Sequence, residues 1–160
     1  MSRTLVLLRH GKSAYPAGVP DHARPLAPRG ERQAALAGEW LRDEGLRFDA
    51  VLCSTARRTR ETLERTGVSA PTQYLDDLYG GSPSQILETI RIYAPDSARI
   101  LLVVGHVPGM PDTALALDPS GDVPRFPTSA YAVVTIGVPW PQIGLTPDAA
   151  ARLVGVRIPR

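Results

Sequence analysis

The clearest hydrophobic segments of the chain are short and continuous, and polar or glycine residues follow each of them. Thr4–Leu8, Ala50–Cys53 and Ile100–Val104 consist mainly of apolar residues without alternation. Continuous runs of this length are typical of strands in parallel sheets that are covered on both faces. Two further strands are predicted at Tyr131–Val138 and Leu153–Ile158. The pattern therefore predicts a buried, mostly parallel sheet.

Between the strands, apolar residues recur at intervals of three and four, as on one face of a helix. The spacing predicts a helix over Arg29–Glu44, which Gly45 ends, and a second helix over Ala56–Arg65. Ser82 and Gln85 have the spacing of a capping box and predict the start of a third helix. Because strands and helices alternate, we expect an α/β fold, built as a three-layer α/β/α sandwich.

Length and composition restrict the class of protein. A chain of 160 residues has the size of one domain, so we expect a single domain over residues 1–160. Cys53 is the only cysteine, which rules out an internal disulfide. The N-terminal apolar run is too short for a signal segment or a membrane span, so we expect a cytoplasmic protein without membrane contact. The net charge of +2 includes no basic block that would indicate nucleic-acid binding.

Polar residues suited to phosphate chemistry follow three of the predicted strands. Arg9 and His10 follow the first strand, and His106 follows the strand at Ile100–Val104. Ser54 and the pair Arg57-Arg58 follow the second strand. Open α/β sheets bind ligands at the carboxyl ends of their strands. Phosphoryl transfer needs an in-line nucleophile and fixed positive charge around the phosphoryl oxygens, and histidine with arginine supplies both. The sequence therefore predicts a phosphoryl-transfer site at this edge.

At these places the chain resembles the histidine phosphatase superfamily, also called phosphoglycerate mutase-like, and most closely its small SixA-type phosphohistidine phosphatases. The resemblance covers about the first two thirds of the chain, in family order. The matching segments are Leu7-Leu8-Arg9-His10-Gly11-Lys12-Ser13, Arg24-Pro25-Leu26 with Gly30, Ser54 with Arg58 and Thr62, Leu78-Tyr79-Gly80, and Val104-Gly105-His106 with Pro108-Gly109.

The resemblance implies a phosphoglycerate mutase-like fold and assigns roles to individual residues. His10 is then the nucleophile that becomes phosphorylated, and Arg9, Arg58 and His106 surround the phosphoryl group. Counting four residues on from Ser54 selects Arg58 over its neighbour. His10 must attack as a neutral imidazole, so one ring nitrogen needs an acceptor, for which a backbone carbonyl nearby would serve. The arginines would repel a cation, so neither a metal nor another cofactor is expected.

The proton donor and the substrate contacts remain open at this stage. Family members that act on phosphoesters typically carry a glutamate in a loop between the matching segments, and in that region this chain offers Asp76 and Asp77, just before Leu78-Tyr79-Gly80. Asp76 is the first choice for this acid and for a substrate contact, with Asp77 and Asp21 as alternatives. Arg24 is expected either to bind substrate or to pair with an acid on the long loop. His22 is interpreted as a solvated loop residue.

Other classes of protein fit the sequence less well. The motif of a cysteine phosphatase has five residues between the cysteine and an arginine, but in this chain Thr59 holds the position of that arginine after Cys53. Cys53 is therefore interpreted as a small buried apolar residue. A mutase would need chain length for an enclosing lid. We therefore predict a metal-independent phosphatase whose partner is a phosphorylated substrate, in particular a phosphohistidine-bearing signalling protein. A small-molecule phosphomonoesterase is the alternative, and a non-catalytic phosphoprotein-binding module is less favoured.

Overall fold

The computed structural model describes residues 2–160, and within them six strands form one sheet with helices on both faces. The strands are β1 (Arg3–Arg9), β2 (Ala50–Ser54), β3 (Thr72–Leu75), β4 (Ile100–Gly105), β5 (Tyr131–Ile136) and β6 (Arg152–Arg157). The helices are α1 (Pro28–Asp43), α2 (Arg57–Thr66), α3 (Pro83–Tyr93) and α4 (Gly109–Leu117). Short 3₁₀ turns cover Asp21–Ala23, Asp76–Leu78 and Trp140–Gln142. No helix in this range is long and apolar enough to cross a membrane.

The strand order confirms the prediction of a mostly parallel sheet. The order is β3-β2-β4-β1-β5-β6, and the first four of these strands are parallel to one another. β5 runs antiparallel to both β1 and β6. β1 and β4 are therefore neighbours near the middle of the sheet, and their carboxyl ends lie at the same edge.

Two hydrophobic cores, one on each face of the sheet, confirm the three layers. Side chains of β1 alternate between them: Leu5 and Leu7 pack with α3 and α4, whereas Val6 and Leu8 pack with α1 and α2. All four are fully buried, and burying such a side chain stabilises the fold by roughly 1.5–3 kcal/mol. Burial on both faces is the reason that the strands read as continuous apolar runs.

The predicted helix ends are close to the observed ones. Ser82 and Gln85 form both bonds of the capping box, with Gln85 N donating to Ser82 Oγ at 3.3 Å and Ser82 N donating to Gln85 Oε1 at 2.9 Å. α2 ends before Gly67, whose φ of 74° is a left-handed conformation that suits glycine. Gly45 follows α1 with a similar φ of 75°.

Sequence patterns miss two elements. β3 has four residues at the edge of the sheet and is half exposed, so it lacks a long apolar run. α4 begins at Gly109 and has Pro111 in its first turn, which obscures the helical pattern. The segment Pro139–Pro147, between β5 and β6, contains a 3₁₀ turn that buries Trp140. Trp140 Nε1 donates to the carbonyl oxygen of Ala98 at 2.7 Å.

Candidate active site

Strand pairing brings the two strand-end histidines together. Arg9, the last residue of β1, lies opposite Gly105, the last residue of β4. The residue that follows each strand is a histidine, so the two histidines lie at the same edge of the sheet. His10 N donates to Gly105 O at 3.1 Å, and the ring centroids of His10 and His106 are 5.3 Å apart. Ser54, at the end of the neighbouring β2, completes a row of polar groups across three adjacent strands.

The surroundings of His10 fix its protonation state. Nδ1 lies 2.6 Å from the carbonyl oxygen of Gly11, which can only accept, so Nδ1 carries the hydrogen and Nε2 has a free lone pair. The side chain is nearly buried, and burial lowers the pKa of His10 to about 3. The Gly11 bond opposes this shift, and the charges of Arg58 and Arg9 add to it. His10 is therefore a neutral imidazole at pH 7, as a nucleophile requires.

His106 is also buried and neutral in the free protein. Its Nδ1 lies 3.5 Å from Arg58 Nη2, which can only donate, so Nδ1 is the acceptor. Nε2 then carries the hydrogen and donates to Ser54 Oγ at 2.9 Å. Burial, together with the smaller effect of the Arg58 charge, lowers the pKa of His106 to about 4. A bound phosphate dianion would favour protonation of Nδ1, because an adjacent negative charge favours the cation.

Of the two adjacent arginines at the start of α2, only Arg58 faces the histidines. Its side chain is 8% exposed and donates to Asp21 through Nη1 and Nη2, whereas its buried Nε has no partner. Arg57 is 51% exposed and pairs with Glu61 on the surface at 2.8 Å. The spacing from Ser54 therefore selects the arginine that the structure places among the buried polar groups.

A loop that the sequence pattern did not indicate holds Arg9 and the backbone of His10. Arg9 Nη1 donates to the carbonyl oxygen of Phe126 at 3.1 Å, and its Nε is buried without a partner. Burial lowers the pKa of the Arg9 guanidinium. Ser129 N donates to His10 O at 3.0 Å, with Ser129 in a left-handed conformation of φ 62°. These contacts join residues more than a hundred positions apart, so local sequence gives no signal for them.

Two glycines and a threonine of the matching segments hold the His10 loop against the helices. Thr62 Oγ1 accepts from Gly11 N at 2.9 Å and donates to Arg58 O at 2.7 Å, which ties the His10 loop to α2. A Cβ on Gly11 would lie 2.6 Å from Gly30 O, and a Cβ on Gly30 would lie 2.0 Å from Lys12 O. Neither position has room for a side chain, because the backbones of the loop and α1 approach closely.

These side chains enclose a pocket of about 160 Å³. It is lined by Arg9, His10, Lys12, Ser13, Tyr15, Arg24, Arg58, His106, Val107 and Thr128. The predicted group of Arg9, His10, Arg58 and His106 thus meets in one pocket, together with Arg24. Within the part of the chain that the structure describes, the pocket lining includes no carboxylate, and no cluster of three or more metal-ligand side chains occurs.

Arg24 lines the pocket and also pairs with Asp21, an acid on the long loop. Nη1 donates to Ser13 Oγ at 2.6 Å and to Ala14 O at 3.1 Å, and Nη2 lies 3.0 Å from a carboxylate oxygen of Asp21. The guanidinium carbon lies 4.0 Å from the centre of the Tyr15 ring. These contacts hold the guanidinium in one orientation beside the pocket.

The candidate acids lie outside the pocket lining. Asp21 accepts from Tyr79 Oη at 2.5 Å, and this bond, with those from Arg24 and Arg58, holds the pKa of Asp21 well below its usual range. Asp76, the first choice for the acid, accepts instead from Thr55 Oγ1 at 2.5 Å. The prediction that Asp76 binds substrate therefore has no support from its position, because its side chain bonds to Thr55 outside the pocket.

The other two loop residues considered from the sequence also lie away from the pocket lining. Asp77 is exposed in the same 3₁₀ turn as Asp76. His22 is exposed, but its Nε2 lies 2.8 Å from Thr55 Oγ1 and its ring packs edge-on against Tyr79 at 4.9 Å. His22 is therefore an exposed loop residue, as the sequence indicates, and it also has defined protein contacts.

Comparison with known proteins agrees with a histidine-based phosphoryl-transfer site. Residues 5–79 match the model of the histidine phosphatase superfamily (branch 1). An uncharacterized protein of Mycobacterium tuberculosis strain H37Rv is 45% identical, over 96% of this chain and 100% of its own length.

Two further relatives define its branch. A structure from Nakamurella multipartitia, assigned as a phosphohistidine phosphatase SixA, is 39% identical with a TM-score of 0.90, covering 99% of this chain and 97% of that one. The phosphohistidine phosphatase SixA of Escherichia coli K12 is 28% identical over 81% of this chain and 83% of that protein. The chain is thus similar to SixA proteins over nearly its whole length. It therefore belongs to the histidine phosphatase superfamily and is a hydrolase that acts on phosphoryl groups.

Proposed function

We propose that this protein is a phosphatase that removes the phosphoryl group from phosphohistidine on a partner protein, with His10 as the covalent nucleophile. The observation that carries the proposal is the composition of the pocket: among the described residues, arginine and histidine line it and carboxylates do not. Asp21, the carboxylate in contact with Arg58, has a lowered pKa and stays ionised. The pocket thus offers positive charge for the phosphoryl group and no carboxylic acid for the leaving group.

The lack of a carboxylic acid in the described pocket lining favours one class of substrate. A sugar phosphate or other alkyl ester releases an alkoxide, which needs a proton in the transition state. Without a positioned acid to donate this proton, the reaction is slower by about 10²–10⁴-fold. The leaving group of phosphohistidine is an imidazole, whose pKa of about 6.5 lets it take a proton from solvent. Hydrolysis of the P–N bond therefore fits this pocket better than hydrolysis of a P–O ester.

In the proposed reaction, the free Nε2 of His10 attacks phosphorus while the P–N bond to the protonated substrate imidazole breaks. Arg9, Arg58 and a protonated His106 bind the phosphoryl oxygens and offset their charge. The hydrogen on His10 Nδ1 keeps its bond to Gly11 O, which stabilises the positive charge of the phosphorylated ring. Water then attacks phosphorus, the bond to Nε2 breaks, phosphate leaves, and the surplus proton passes to solvent.

Similarity to SixA proteins supports the same substrate. The relatives from Nakamurella multipartitia and Escherichia coli carry the name phosphohistidine phosphatase, and the first covers almost all of this chain. The small pocket is also consistent with a site that takes up a phosphoryl group while the rest of a protein substrate stays outside.

The test compares kcat/KM for a phosphohistidine-bearing protein, free phosphoramidate and several sugar phosphates under identical conditions. We expect the two P–N substrates to be faster by about 10²-fold or more. His10→Ala serves as the control and should hydrolyse none of them. A sugar phosphate that is faster by tenfold would refute the phosphohistidine assignment and favour a small-molecule phosphomonoesterase.

A further inference from the structure

A groove lined by arginines lies next to the phosphate pocket. Arg29, Arg32 and Arg160 line it together with Gln33 and Leu36, and its volume is about 310 Å³. All three arginines are exposed. None of the residues used in the proposed reaction lines this groove, so phosphoryl transfer leaves its charge unexplained.

Gln33 connects the groove with the pocket. This side chain lines the groove, and its Oε1 accepts from the backbone N of Lys12 at 3.2 Å and from Thr128 Oγ1 at 2.9 Å. Lys12 and Thr128 both line the phosphate pocket. The two depressions therefore meet at Gln33, and the cations of the groove continue the positive rim of the pocket. We call Lys12, Arg29, Arg32 and Arg160 the basic ridge.

The side chains of the basic ridge form no ion pair with a carboxylate among the described residues. Within residues 2–160, ion pairs instead join Arg24, Arg57, Arg58, Arg65 and Arg157 to carboxylates. The Arg160 charge also acts on Arg9 in the pocket. Four exposed like charges in a chain of net charge +2 are a concentrated field beside the site, and such fields attract partners of opposite charge.

We infer that the basic ridge docks an acidic surface of the phosphorylated partner protein, next to its phosphohistidine. This inference rests on the proposed function, since it assumes that the phosphoryl group arrives on a protein. Gln33 and Leu36 are the other groove residues, and neither offers an aromatic face for stacking a base. Carboxylates that flank the phosphohistidine would meet Arg29 and Arg32 while the phosphoryl group enters the pocket.

Two synthetic phosphohistidine peptides test the inference, one with four aspartates flanking the phosphohistidine and one with four asparagines at the same positions. At low salt we expect wild-type kcat/KM to be about tenfold higher for the aspartate peptide. Arg29→Gln combined with Arg32→Gln should bring this ratio close to one, and 0.5 M salt should do the same for wild type. The matched control is Arg47→Gln with Arg60→Gln, which removes two exposed arginines from outside the groove and should keep the ratio.

The outcomes separate this inference from the proposed function. If wild type hydrolyses phosphoramidate and both peptides equally well, or if the paired Arg29 and Arg32 substitutions leave the ratio unchanged, acidic docking is wrong while phosphohistidine hydrolysis stands. If wild type hydrolyses none of the three, the proposed function itself fails. Equal peptide rates together with binding of single-stranded DNA that depends on Arg29 would assign the ridge to nucleic acid and overturn the inference.

Discussion

Arg58 donates through both terminal nitrogens to Asp21. Nη1 lies 2.8 Å from the Asp21 carbonyl oxygen, and Nη2 lies 3.1 Å from its carboxylate. The same carboxylate accepts from Tyr79 and Arg24. One ionised side chain in the loop before α1 thus orients two of the arginines at the pocket, and Tyr79 in turn packs its ring against His106 at 5.6 Å. This arrangement indicates that Asp21 is a positioning residue.

Asp21→Asn should weaken catalysis without unfolding the protein. The amide keeps the size of the side chain but loses the charge that orients Arg24 and Arg58. We expect kcat/KM to fall by about tenfold, equivalent to about 1.4 kcal/mol in the transition state. Asp21→Glu, which retains the charge, should recover part of the loss, whereas a purely structural role predicts parallel losses of melting temperature. Steady-state kinetics with phosphoramidate, alongside Asp76→Asn for comparison, measure the effect; equal losses in Asp21→Asn and Asp76→Asn would contradict this account.

Arg58→Ala and Arg57→Ala should differ strongly. Arg58 has a buried Nε without a protein partner and lines the pocket, so its removal takes a donor from the transition state, typically worth about 3 kcal/mol or 10²-fold in kcat. Arg57 forms an exposed pair with Glu61, and exposed pairs contribute about 0–1 kcal/mol. Its variant should keep activity within about twofold. Similar kcat values for the two variants would mean that the register of α2 at the site is wrong.

Stability should depend on the two buried histidines at acid pH. In the folded protein the pKa of His10 is lowered to about 3 and that of His106 to about 4, whereas in the unfolded chain histidine binds a proton below about pH 6.5. Between about pH 6.5 and 4 the unfolded state therefore binds more protons. The free energy of unfolding should therefore decrease as the pH is lowered through this range, by up to about 1.4 kcal/mol per pH unit for each histidine. Above about pH 6.5 neither histidine should contribute to the pH dependence.

Urea unfolding of wild type and His106→Asn at pH 7, 6 and 5 measures this dependence. The variant lacks one of the two neutral imidazoles, so its unfolding free energy should fall less steeply from pH 6 to 5. His22→Asn, which removes an exposed histidine, is the matched control and should keep the wild-type slope. Identical slopes in wild type and His106→Asn would show that His106 is not held neutral by burial.

The parts of the site that the sequence predicts are those set by strand ends and helix spacing. His10 and His106 follow buried apolar runs, and the parallel register of β1 and β4 makes them neighbours. The choice of Arg58 over Arg57 follows from the family resemblance, in which the arginine stands four residues after Ser54. For the two histidines, the strand pattern determines the edge of the sheet at which the backbone places each side chain.

The parts that sequence analysis misses depend on contacts between distant segments. Tyr79 bonds to Asp21 across 58 positions, and Arg9 bonds to Phe126 across 117 positions. The sequence favours Asp76 as the acid because it precedes a matching segment. In the structure, the Asp76 carboxylate instead accepts a hydrogen bond from Thr55, a residue for which the matching segments predict no role. Loop side chains can turn either toward the pocket or away from it, and only tertiary packing decides between the two.

Trapping of the phosphoenzyme tests the central claim, that His10 is the covalent nucleophile. Wild-type enzyme mixed with phosphoramidate, denatured rapidly and analysed by peptide mass spectrometry under alkaline conditions should carry phosphate on His10 in a bond that is labile to acid and stable to base. His10→Ala should carry none and should not turn over substrate. Phosphate on another residue such as Ser54 or Cys53, or substantial turnover by His10→Ala, would contradict the account.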